Sequence, residues 1–192
     1  MKHSFALILI ALCATFNLSA QSTSPAEESK SLSDAKQRVV VRYEQKVASV
    51  NSGSGLMSFP AIDVLAAEFV SIGDDSREYK VLIDITQMIT TSSTRQSRVS
   101  IPHEELETLI SAFSVLQNID RSNSTLPNYA AFYRTKGDFS IRVFFTGRVP
   151  TYEVEDTSVG GVGTSLSQAN FAQLATALQS AKDILDRISA NE

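Results

Sequence analysis

The 192-residue chain has one cysteine, two histidines and no apolar run as long as a membrane span. Cys13 lies in the opening stretch MKHSFALILIALCATFNLSA, so the rest of the chain has no thiol for a disulfide, covalent catalysis or metal ligation. His103 is the sole histidine beyond that stretch, and no second imidazole can join it in a metal site. The longest apolar run, Phe5 to Phe16, falls short of the roughly 20 residues that cross a bilayer, and no later segment comes closer. Positive charge is not in excess: 21 Asp and Glu outweigh 17 Lys and Arg, for a net charge of −4. Without Lys2 the balance is more acidic still, so long-range attraction to nucleic acid or anionic lipid is missing and nucleic acid is a disfavoured partner.

What the opening stretch does contain is a secretory leader by layout: a positive Lys2, the apolar run, and a polar exit ending in Ala20. Residues 1–20 are therefore expected to be a signal peptide, with Gln21 as the new N-terminus and no transmembrane segment left after its removal. The leader resembles that of an exported Gram-negative bacterial protein, which places the chain in the periplasm or outside the cell. Anchoring through a lipid on Cys13 is disfavoured, because Leu12 stands where a small residue is needed. Residues 21–37, QSTSPAEESKSLSDAKQ, have almost nothing to bury and read as a flexible linker. With 43% hydrophobic residues, the roughly 150 residues that follow suffice for one core.

From residue 38 the chain reads as a single α+β domain made of two repeated units, about 38–120 and 128–192, each an antiparallel sheet with a C-terminal helix. RVVVRYEQKVASV (38–50) fits a strand through its Val run, although Val39, Tyr43, Val47 and Val50 also recur at helical spacing. AIDVLAAEFV and YKVLIDITQMIT flank GDDS as a hairpin, with Val81, Ile83, Ile85 and Ile89 on one face and Lys80, Asp84 and Thr86 on the other. A helix is expected from about Pro102 to Ile119, striped by Leu106, Leu109, Ile110, Phe113 and Leu116. NYAAFYRTKGDFSIRVFFT reads as a second hairpin about a two-residue Gly137-Asp138 turn, which sets Tyr133 opposite Arg142 and puts Phe132 with Ile141, Val143 and Phe145. TYEVEDTSV and GVGTSL follow as short strands, and a helix from Ser167 to Ile188 carries Phe171, Leu174, Leu178, Ala181, Leu185 and Ile188. VSIPHEELETLISAF aligns without a gap on TSLSQANFAQLATAL, and LAAEFVSIGDD matches YAAFYRTKGD with one residue dropped.

The chemistry-bearing motifs are sparse. His103-Glu104 opens a helix, where Glu104 and Glu105 suit the dipole and Ile101 and Leu106 form a staple around Pro102. H-E-x-x-H fails because Glu107 stands where the second histidine belongs, so no metal is expected. No nucleophile-elbow glycines surround any serine. Asp74-Asp75 and Glu153, Glu155 and Asp156 read as surface carboxylates, and GGVG at 160–163 lacks the Lys-Ser/Thr of a phosphate loop. No catalytic residue and no cofactor is assigned.

GTSLSQANFAQL resembles the strand-to-helix segment of the Whirly and positive-coactivator families of single-stranded DNA-binding proteins, whose unit is four strands and a helix. Gly163, Ser165, Leu166 and Leu174 fall on that pattern, with Phe171 where those families place Trp. Val162 replaces a lysine common there, and the first copy has Arg98 in place of the glycine. The resemblance implies a fold and carries no function with it.

The sequence therefore supports an exported, non-enzymatic module that binds an envelope protein, a peptide or a glycan. The alternative is single-stranded nucleic-acid binding on the sheet surface, for which Tyr133, Arg134, Lys136, Arg142 and Phe144 supply basic and aromatic groups. A third reading is a hydrolase built on His103. In either binding reading those five residues are the ligand-binding candidates.

Overall fold

Alternation of apolar and polar side chains sets the architecture. The computed structural model describes residues 39–52, 59–90, 92–119, 122, 126, 128–146 and 149–191. The leader at 1–20 and the linker at 21–37 lie outside them. The elements are β1 (Val40–Ser52), β2 (Phe59–Ser71), β3 (Arg77–Thr90), β4 (Ser93–Pro102), a 3-10 turn (His103–Glu105), α1 (Leu106–Gln117), β5 (Asn128–Arg134), β6 (Phe139–Thr146), β7 (Val149–Asp156), β8 (Gly163–Leu166) and α2 (Gln168–Ser189). They build two four-stranded antiparallel sheets in the orders β1-β2-β3-β4 and β5-β6-β7-β8. The chain is α+β, with two repeated sheet units each followed by a helix. The Val-rich segment expected as a strand is β1.

Each sheet has a helix-covered face and an open one. Ile62, Val64 and Ala66 of β2 pair with Ile85, Ile83 and Val81 of β3, and Val99 and Ile101 of β4 extend the same row. α2 crosses β1, β2 and β3 above this row, while α1 lies on β5 and β6. Each helix thus covers the sheet of the other half, and all of these side chains merge into one core. Ile89 departs from the expected row and is 50% exposed. The register of β2 on β3 stops at Ile85, and β3 runs on with only β4 beside it.

The two strand-to-helix junctions carry matching burial over 99–113 and 164–178, apart from the pairs Ser100/Ser165, His103/Gln168 and Ala112/Ala177. Their starts differ in geometry. Ser167 caps α2 by accepting from the Asn170 amide at 3.1 Å. Pro102 has no side-chain acceptor, so the first turn at His103–Glu105 tightens to 3-10 and the α-helix begins only at Leu106. The upstream match of LAAEFVSIGDD to YAAFYRTKGD joins strands of different rank, since it lays β2, second in its sheet, on β5, first in its own. What those segments share is turn chemistry: Asp75 and Asp138 both adopt a left-handed backbone, at φ 53 and 66°.

Candidate ligand face

The open face of the second sheet is built by β5, β6 and β7. In β6, Phe139, Ile141, Val143 and Phe145 are buried on the helix side, so Arg142 and Phe144 point the other way. The β5–β6 register decides which β5 residues join them. The pairs are Phe132 with Arg142, Tyr133 with Ile141 and Arg134 with Ser140, one residue away from the expected pairing of Tyr133 with Arg142. The expected two-residue turn is a three-residue loop, Lys136 to Asp138, closed by a Thr135 amide bond to the Phe139 carbonyl at 2.8 Å. Asp138 takes the left-handed position of that loop. A one-residue slip exchanges the faces of a strand. Phe132 is therefore not in the core but 72% exposed beside Arg142 and Phe144, whereas Tyr133 turns toward the core. Burial, and secondarily the Glu105 carboxylate, pushes the Tyr133 phenol up.

Of the five residues singled out from sequence, Arg134, Arg142 and Phe144 share this face with Phe132. Tyr133 is on the opposite side, and Lys136 sits in the loop, its amide donating to Glu105 Oε1 at 2.9 Å. The two arginines are already engaged. Arg142 Nε donates to Glu153 Oε2 at 2.5 Å and its Nη2 to Glu155 Oε2 at 3.1 Å, while Arg134 is paired with Asp138. Asp138 is held in turn by Thr157, whose hydroxyl donates to its carbonyl at 2.9 Å. Phe132, Glu153 and Glu155 were not picked out from sequence as members of one face. The pairing of β7 on β6 sets Glu153 directly opposite Arg142, a signal that only the register reveals.

Among the described residues, the open face of the first sheet shows no aromatic as exposed as Phe132 and carries charge instead. Arg98 makes a bidentate pair with Asp84, at 2.5 and 2.7 Å, and reaches Glu44 at 3.0 Å. The hydrogen bonds that Arg98 donates to the Asp84 carboxylate hold its guanidinium above its ordinary range. Lys46 and Ser49 bind Asp63 at 2.9 and 2.6 Å. Burial raises the Asp63 carboxyl, but these hydrogen bonds outweigh it and leave it low. A polar cleft of about 330 Å³ lies here, lined by Asp63, Asp84, Thr86, Gln96, Ser97 and Arg98.

His103 has a partner that no local pattern announces. Its Nε2 lies 2.6 Å from Asp186 Oδ1 of α2, and Lys182 grips the other carboxylate oxygen at 2.8 Å. A polar cleft of about 420 Å³ adjoins it, lined by Arg77, Glu78, Tyr79, Lys80, Pro102, His103 and Glu104. Those lining residues include no serine, threonine or cysteine, and the one hydroxyl among them is the Tyr79 phenol. The contact ties α2 to the start of α1.

No family model, curated protein or solved structure matches this chain.

Proposed function

We propose that this protein is an exported, non-enzymatic binding module whose ligand lies across the open face of the second sheet. The observation that carries the reading is Phe132, 72% exposed in the middle of a strand and flanked by polar groups whose positions are already fixed. An exposed aromatic plane costs free energy in water, and preset donors and acceptors beside it suit a ligand with both an apolar surface and hydroxyl or amide groups. A glycan or a peptide of the envelope has that chemistry. The leader-like opening stretch supports the localisation.

Single-stranded nucleic acid fits less well. Two arginines share the face with three carboxylates, each arginine already paired, so a phosphate backbone would have to displace Glu153, Glu155 or Asp138. The element order, a four-stranded meander and a helix twice over, supports the Whirly-like reading of the fold and the idea of an internal duplication without supporting the DNA function.

The test is titration of the protein, followed by backbone NMR shifts, with a cell-wall oligosaccharide, a peptide panel and a single-stranded oligonucleotide. Shifts confined to β5, β6 and β7 with the first or second probe, lost in Phe132→Ala, are the expected result. Salt-dependent oligonucleotide binding would move the function to the nucleic-acid reading, and shifts elsewhere on the molecule would remove the site.

A further inference from the structure

The first sheet ends in a long edge strand. Among the described residues β1 pairs only with β2, and its two halves differ. The second half is guarded: β8 lies beside it, and Asn170 Nδ2 donates to the Asn51 carbonyl at 2.8 Å. The first half keeps an unbroken register from Val40 opposite Ser71 to Lys46 opposite Leu65, until a bulge at Val47 interrupts it. Among the described residues none pairs with its outer side. Glu44 shows the consequence: the residue as a whole is exposed while its side chain is only 24% exposed, so its backbone faces solvent. Bare edges of this kind are pairing templates unless a bulge, proline or cover protects them.

Val40–Lys46 is complementary to itself. Residues paired across two antiparallel strands share a face, so a two-fold joint must be centred on a residue. Centring on Arg42 or on Glu44 sets like charges against each other, and centring on Gln45 runs the pairing into the bulge. Centring on Tyr43 sets Arg42 opposite Glu44 twice, Val41 opposite Gln45 and Val40 opposite Lys46, and uses the whole regular stretch. Arg42 and Glu44 already approach to 3.0 Å within one strand, so the joint would hold four alternating charges. The same end of the sheet collects exposed apolar side chains: Val40 at 55%, Tyr43 at 59%, Ile72 at 46% and Ile188 at 37%. A groove of about 150 Å³ lies between Tyr43 and Ile188.

We propose that Val40–Lys46 pairs with the same segment of a second copy, antiparallel about Tyr43, and joins two first sheets into one eight-stranded sheet. Seven paired residues lie at the small end of specific interfaces, so the dimer is reversible and forms as concentration rises.

Sedimentation equilibrium of the full chain from about 10 μM to about 1 mM, the range in which so small an interface populates both states, should show a monomer–dimer equilibrium. Tyr43→Asp places two carboxylates on the axis and should raise the dissociation constant at least about tenfold while the thermal transition of the dilute monomer stays in place. In a Cys13→Ser background, Tyr43→Cys should give a disulfide-linked dimer under mild oxidation, and Val115→Cys, 63% exposed on α1, should not. A chain that stays monomeric throughout, a dimer indifferent to Tyr43→Asp, or equal cross-linking of the two cysteine variants overturns the proposal. The first of these outcomes would leave the edge to a strand from another protein.

Discussion

Oδ1 of Asp186 sits 2.6 Å from Nε2 of His103, and the two residues lie 83 positions apart in the chain. The contact closes the last turns of α2 onto the junction where β4 becomes α1, so it fastens the helix of one half to the connection of the other. Lys182, one turn earlier on α2, holds the remaining carboxylate oxygen.

That arrangement has a pH signature. Hydrogen bonds from Lys182 and His103 hold the Asp186 carboxyl below its usual range, and Asp186 holds the Lys182 ammonium above its own. A carboxyl that is lower when folded contributes fully above its unfolded value, near 3.9, and loses the contribution as pH falls through the folded value. A raised lysine contributes fully below about 10.4 and loses it as pH rises through its folded value. The pair therefore stabilises on a plateau between the two. Thermal melts of the parent and Asp186→Asn should differ at about pH 7, and the gap should close as pH falls below the unfolded value and on through the lowered Asp186 value. A gap that persists in acid would assign the loss to packing rather than charge.

Two glycines should fail for different reasons. A Cβ on Gly137 would meet the Ser100 carbonyl oxygen at 2.6 Å, so alanine there pushes the β5–β6 loop off β4 at a cost of about 1–3 kcal/mol. Gly160 has open space around its missing Cβ but adopts φ +81°, and alanine there costs about 1–2 kcal/mol in backbone strain alone. Urea midpoints measure both. Restoring room by deleting side chains cannot rescue Gly137→Ala, because the obstructing atom is backbone; a neutral result would mean the loop can leave β4 freely.

The same loop shows where sequence reading stops. Burial imposes its period on β3, α1 and α2, so Val81, Ile83 and Ile85 and the stripes headed by Leu106 and Phe171 were legible, apart from Ile188 at the end of the second stripe, which is 37% exposed. The β5–β6 register was not, because it depends on which residue takes the left-handed position. Glycine is the obvious choice, but Gly137 is needed for close approach and Asp138 takes the strained conformation. One residue of slip then moves Phe132 and Tyr133 to opposite faces, and the candidate site changes membership with it. Partners distant in sequence, such as Asp186 for His103, leave no local trace at all.

Phe171 is the side chain on which both halves meet. Its ring lies 4.5 Å from that of Phe113 on α1 and 4.6 Å from that of Tyr152 on β7, centroid to centroid, and all three are essentially inaccessible to water. Phe171→Ala should cost about 3–5 kcal/mol through lost burial and the cavity left behind. Because the core is continuous, both sheets should lose structure in one transition, read by near- and far-ultraviolet dichroism at the same denaturant concentration. Separate midpoints for the two probes would show that the halves fold independently.

The register of the β5–β6 hairpin makes the last prediction, which turns on two neighbours. With Phe132 paired to Arg142 on the open face and Tyr133 paired to Ile141 on the core side, the two aromatics must respond in opposite ways to truncation. Phe132→Ala removes a ring that is 72% exposed and should leave stability within about 0.5 kcal/mol. Tyr133 packs against the core, so Tyr133→Ala should destabilise measurably, and Val143→Ala, fully buried on the same side, should cost about 1–3 kcal/mol. Ligand binding should follow the reverse order, falling in Phe132→Ala and Arg142→Ala and surviving in Tyr133→Ala under conditions where that variant is folded. Tyrosine absorbance gives an independent reading, since burial delays ionisation of Tyr133 relative to an open phenol. Should Tyr133→Ala prove neutral and Phe132→Ala costly, the loop would have to close as a two-residue turn at Gly137 and Asp138, and the binding face would have to be redrawn around Tyr133.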